Sequence, residues 1–225
     1  MINTFAIIFF SLFVIISLVE LFLAFNEYEK WRMIIKPFSL FFLALSALFA
    51  LPTHPLIYFG AFLGMIGDIF LLYVRKKKLF ILGTLSFLLG HFCYISEILF
   101  VMLPKGSISW WLYVVIPFLM LLIILGAYPF SKKITNDRYL SLLGNTYLSV
   151  LVLVTLISVM ASFKGFANFM ILGIIGGISF LASDLILIQA TFIKDFKRRD
   201  YYIMLFYLLG QAFIVAGLSL TYLLA

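Results

Sequence analysis

The chain has 225 residues, 65% of them hydrophobic and only 11% charged, against about a quarter charged in a soluble domain, so a water-soluble globule is excluded for want of a polar surface. Its formal net charge of +7 lies in short clusters between apolar runs, which points to an anionic lipid surface and away from nucleic acid. One cysteine, Cys93, inside an apolar run, excludes a disulfide framework and a cysteine-based zinc site.

A membrane span needs about 20 apolar residues, and eight such runs follow one another at 4–25, 34–51, 55–74, 79–102, 108–128, 139–161, 167–191 and 201–223. The predicted fold is therefore all-α: one polytopic domain over 1–225, a bundle of eight transmembrane helices joined by short turns. The first run has neither a basic leader nor a small-residue cleavage pattern, so it is read as a span and not as a removable signal. Pro52 and Pro55 flank the second connection, Pro104 and Gly106 mark the fourth, and Pro129 ends the fifth span.

Orientation follows from the basic residues. Lys30, Arg32 and Lys36 follow the first span, Arg75 to Lys78 the third, Lys132, Lys133 and Arg138 the fifth, and Lys194, Lys197, Arg198 and Arg199 the seventh. That places fourteen of sixteen on one side, with Lys105 and Lys164 opposite. The positive-inside rule makes that side cytoplasmic and both termini extracytoplasmic, in the inner membrane if the source is bacterial. A faint repeat accompanies this pattern: Gly67-Asp68-Ile69 resembles Ser183-Asp184-Leu185, and Leu88-Leu89-Gly90-His91 resembles Leu208-Leu209-Gly210-Gln211.

An ionisable side chain in a span costs about 2.5–3.5 kcal/mol on insertion scales, so each one asks for a reason. Glu20, Asp68, Glu97 and Asp184 qualify. Asp68 lies about 10 Å and Asp184 about 15 Å from the cytoplasmic ends of their helices, so the two share a depth. Asn145, Tyr147 and Gln211 fall at about 10–16 Å and His91 at about 20 Å by the same rise, with Lys36 at the mouth. His91 and Tyr94 share a helical face. Gly64, Gly67, Gly173, Gly176 and Gly177 let backbones approach and bring the aspartates together. Paired carboxylates in a low-dielectric site give an acid and a base from one residue type. The layout describes a pocket open to the cytoplasm or inner leaflet, with a greasy floor able to hold an acyl chain. Taken singly, Tyr94, Tyr147 and Tyr207 read as packing residues, Glu20 and Glu97 as snorkelling or interhelical groups, His54 as solvated, and the 75–78 run as a topology signal.

In order along the chain, Lys36-Pro37, Gly67-Asp68-Ile69-Phe70-Leu71-Leu72, the run Phe87 to Tyr94, Phe180 to Leu185 and Tyr207-Leu208-Leu209-Gly210-Gln211 resemble the lysoplasmalogenase family of eight-span membrane proteins, YhhN-like in bacteria. The sixth span matches loosely. The resemblance implies hydrolysis of the vinyl ether of a lysoplasmalogen, a lysophospholipid, to a fatty aldehyde and a glycerophospho-ethanolamine or -choline, with no cofactor and no metal. Asp68 and Asp184 are then the expected catalytic pair. His91, Tyr94, Gln211, Tyr147, Asn145 and Tyr207 are expected to bind or position substrate and water, and Lys36 to meet the phosphate. Two readings from other classes use the same residues: a proton-coupled transporter, and a lipid-binding membrane protein that does not consume its ligand.

Overall fold

Several of the described helices begin on a recognisable local signal. The structure, a computed structural model, describes residues 3–73, 76–102, 118, 121–122, 124–125, 135, 137–163 and 168–224. Helix α1 (Thr4–Phe25) opens on Asn3, whose side chain accepts the backbone N–H of Phe5 at 2.9 Å, satisfying one of the orphan donors of a helix start. Helix α2 (Glu29–Ala50) starts five residues before the predicted span and runs through Pro37. Proline removes a single backbone bond there, and the longer helix carries Arg32 and Lys36 on one face instead of leaving them in a loop. Helix α3 (Pro55–Leu71) has its proline at the first helical position, where the missing N–H costs nothing. Helix α4 spans Lys77–Met102.

The fifth predicted span, 108–128, falls almost wholly outside the described residues, as do Arg75, Lys105, Lys132, Lys133 and Lys164. Helix α5 (Arg138–Phe163) is capped by Asp137, whose Oδ1 accepts the backbone N–H groups of Tyr139 and Leu140 at 3.0 and 3.3 Å. The Lys77 ammonium beside Asp137 holds that carboxyl below the usual carboxylate range. Helix α6 (Met170–Ile188) passes into a π-helical turn, Gln189–Ile193, and α7 covers Arg199–Leu223. Among the described residues, six helices are long and apolar enough to cross a bilayer, and α3, with 17 residues, is a shorter apolar helix.

The turns locate the two ends of the bundle. Phe25 meets Tyr201 edge-on at 5.5 Å, the Arg198 guanidinium lies 3.8 Å from the Phe25 ring centroid, and the Arg198 backbone N–H donates to Glu27 Oε1. These contacts join the basic α1–α2 turn to the start of α7. At the other end Ser46 donates to the Ala6 carbonyl, and the His54 and Tyr222 rings lie 3.7 Å apart. Both chain ends therefore sit at the end away from the basic turns. His54 Nδ1 is 2.8 Å from Glu97 Oε1, so His54 is engaged rather than simply solvated, and Glu97 is a buried partner rather than a snorkelling group.

In lipid, helices gain little from apolar burial against each other and depend on close packing. Two backbone crossings supply it in matching register. A Cβ at Gly90 would sit 2.9 Å from the Gly60 carbonyl oxygen, and one at Gly176 would sit 2.8 Å from that of Gly210. Gly60 and Gly176 each stand eight residues before an aspartate, and Gly90 and Gly210 directly precede His91 and Gln211. The α3–α4 and α6–α7 pairs thus repeat one crossing, as the sequence motifs suggested. On α1, by contrast, Phe5, Ile15, Leu18 and Phe22 point outward as a lipid-facing surface requires.

Candidate active site

The helices converge on a cavity of about 410 Å3 at the basic end of the bundle, and both Asp68 and Asp184 line it. Asp68, from the last turns of α3, is held twice. Tyr207 on α7 donates its hydroxyl to Oδ2 at 2.7 Å, and Lys36 Nζ on α2 lies 3.2 Å from Oδ1. Asp184 on α6 receives the Tyr147 hydroxyl from α5 on Oδ2 at 2.7 Å, and among the described residues no basic side chain pairs with it. Both carboxylates are buried, at 1% and 8% exposure. Among the described residues, one carries a counter-charge and the other does not. A buried charge is costly unless paired, so the two aspartates differ in their surroundings although they match in the repeat.

Phe87, Phe180 and Tyr207 close the inner side of the cavity, packing edge to face with ring centroids 5.3–6.2 Å apart. Behind them lie three residues expected at the reacting centre. Tyr94 donates to Gln211 Oε1 at 2.8 Å, so these two serve each other. His91 stands edge-on to Phe180 at 4.5 Å. Its Nδ1 is 2.7 Å from the Phe87 carbonyl, which can only accept, so Nδ1 carries a hydrogen. Nε2 is buried without a partner among the described residues. None of the three lines the cavity. Asn145 is buried on α5 two residues before Tyr147.

Lys36 lines the cavity, and its ammonium is paired with Asp68. The expected greasy floor needs correcting: Tyr94, Ile98, Met102, Leu151, Ile157 and Ile214 are fully buried between the helices and do not line the cavity. The apolar lining of the cavity is instead on its walls, where Met33, Leu71, Leu187, Ile203 and Met204 lie.

The mouth is built from residues that sequence reasoning assigned to loops or left as isolated. Arg32 Nε pairs with Glu20 at 3.1 Å and its Nη1 with Asp200 at 2.7 Å, joining α1, α2 and α7. Glu20 is fully buried and paired, so it does not snorkel. The available signal was spacing: Arg32 lies one turn before Lys36, on the same face once the helix is taken to start at Glu29. Among the described residues no three His, Cys, Asp or Glu side chains come together as metal ligands.

A sequence model of the YhhN family matches residues 31–218 of the chain. No curated protein and no solved structure matches it.

Proposed function

The chain belongs to the YhhN family, which includes lysoplasmalogenases, and on that premise we propose that it is a membrane-embedded ether hydrolase that cleaves the vinyl ether of lysoplasmalogens with Asp184 and Asp68. The observation that carries this reading is that both carboxylates line one cavity while, among the described residues, only Asp68 has a cation against it. By the positive-inside rule the cavity opens on the cytoplasmic side, where water and a lipid of the inner leaflet can both reach it. The alkenyl chain, excluded from the packed interior, leaves sideways over the apolar wall.

Vinyl ethers are cleaved by protonating the carbon β to oxygen. Asp184, unpaired with any described cation, delivers that proton, and the adjoining carbon becomes an oxocarbenium ion. Asp68, carrying the salt bridge, is the negative group that faces the cation, much as one carboxylate does beside the oxocarbenium-like transition state of glycosidases. Water then adds to the cationic carbon and returns a proton to Asp184, which restores the pair. The resulting hemiacetal breaks its bond to the glycerol oxygen, its hydroxyl proton passing to that oxygen, to give a fatty aldehyde and a glycerophospho-alcohol. Tyr147 and Tyr207 fix the two carboxyls, which is the preorganisation such chemistry needs. Incubation of the purified protein with a lysoplasmalogen tests the proposal: stoichiometric aldehyde and glycerophospho-alcohol support it, and recovery of intact lipid removes it.

A further inference from the structure

Asp200, in the first turn of α7, lies between two guanidinium groups at the mouth of the cavity. Arg32 Nη1 is 2.7 Å from its Oδ2, and Arg199 Nε is 3.4 Å from its Oδ1. All three residues line the cavity that holds Asp68 and Asp184. Each arginine is also anchored from its other side. Arg32 Nε pairs with Glu20, which is fully buried, and Arg199 Nη1 with Asp195 at 2.7 Å. Arg32 is 12% exposed, whereas the Asp200 side chain is 32% exposed and reaches water.

We propose that the Arg32–Arg199 fork is the binding site for the phosphodiester of a lysophospholipid, and that the Asp200 carboxylate competes with that phosphate for it. Guanidinium groups present planar donors that suit carboxylate and phosphate alike. A phosphodiester carries one negative charge, as the Asp200 carboxylate does, so it can take that carboxylate's place on the two guanidinium groups charge for charge. Glu20 and Asp195 keep both arginines aimed when Asp200 gives way. Asp200, being partly hydrated already, loses little by swinging into water. Lys36 differs in that its partner Asp68, with its side chain 2% exposed, cannot swing into water as Asp200 can. A phosphate on the fork fixes the glycerol end of the lipid at the mouth and leaves the ether linkage to extend inward toward the aspartates.

The assignment rests on the lysophospholipid reading of the same cavity, and a ligand that cannot be turned over separates the two. The full-length protein in detergent is titrated with 1-O-alkyl-lysophosphatidylethanolamine, which lacks the vinyl bond, with 1-O-alkylglycerol, which lacks the phosphate, and with glycerophosphoethanolamine and inorganic phosphate. Binding is followed by native mass spectrometry for the lipids and by competition for the two soluble anions. The alkyl lysophospholipid is expected to bind about tenfold or more tightly than the alkylglycerol. Arg199→Gln should remove that preference while leaving alkylglycerol binding as it was. Asp200→Asn, which takes away the competing charge, should tighten the phospholipid several-fold. Circular dichroism and elution volume confirm that both variants are folded.

Equal binding of the two lipids, or weaker phospholipid binding by Asp200→Asn, would overturn the proposal, the latter by making Asp200 a helix clasp only. Inorganic phosphate competing as well as the lipid would overturn the lipid source in favour of a free anion. If the fork binds phospholipid as expected and lysoplasmalogen still yields no aldehyde, the hydrolase reading fails and the site stands. If aldehyde forms and Arg199→Gln leaves KM unchanged, the site fails and the hydrolase reading stands.

Discussion

Tyr207 donates its hydroxyl to Asp68 at 2.7 Å, so a helix of the second half of the repeat completes the aspartate of the first. The reverse contact is missing for a simple reason. Tyr207 stands four residues before Gln211, and the residue four before His91 is Phe87, which has no hydroxyl to offer Asp184. Asp184 takes its tyrosine hydroxyl from Tyr147 on α5 instead, so among the described residues the two matching carboxyls differ chiefly in the Lys36 ammonium on Asp68.

Removal of that hydroxyl gives the first prediction. Tyr207→Phe keeps the ring that packs on Phe87 and Phe180 and deletes only the donor. A hydrogen bond to a charged group is worth about 1.5–3 kcal/mol, so kcat for aldehyde release should fall about tenfold to a hundredfold with no loss of folded protein. A rate within twofold of the unmodified enzyme removes Tyr207 from the mechanism.

Lys36 gives the second. Because its ammonium sits on Asp68, Lys36→Met should lower kcat and leave KM nearly unchanged, the pattern of an interaction made at the reacting centre. A residue that gripped the phosphate would show the opposite split. Steady-state kinetics on Lys36→Met and on Lys36→Arg, which keeps the charge, distinguish these outcomes.

The third prediction concerns the far end of the bundle. His54→Ala leaves the Glu97 carboxyl, 3% exposed, without its ring nitrogen partner and strips the stacking on Tyr222. The Tyr222 hydroxyl remains on Glu97, so the loss is one hydrogen bond and a ring contact, about 0.5–1.5 kcal/mol for the bond, and thermal unfolding in detergent should begin at a lower temperature. Aldehyde release by the folded protein should not change. Equal thermal midpoints would show that the pair contributes nothing to holding the α2–α3 turn.

The two aspartates are legible in the sequence because charge inside an apolar run is expensive, and a helical rise of constant size places them at one depth. Of the matching Gly60–Gly90 and Gly176–Gly210 crossings, Gly90 and Gly210 lie in a motif that recurs and Gly176 in the glycine run before Asp184, whereas Gly60 emerged only from the packing of α3 on α4. Tyr147 and Tyr207 were harder, since the chain has twelve tyrosines and only the pairing of helices says which hydroxyl meets a carboxyl. The mouth was misread for another reason. Treating Lys36-Pro37 as the start of a helix put Arg32 in a loop, where an arginine signals topology, although the helix runs on from Glu29 through the proline. Asp200 and Glu20 lie far from Arg32 in sequence, so their convergence on it needed the packing of α1, α2 and α7.

The most direct test compares aldehyde release from a lysoplasmalogen by the purified protein and by its Asp184→Asn variant. Loss of a general acid lowers turnover by about a hundredfold to ten-thousandfold, and such a drop, in a variant that still binds the alkyl lysophospholipid, is the predicted result. Near-normal aldehyde release by Asp184→Asn would contradict the assignment of the proton to Asp184.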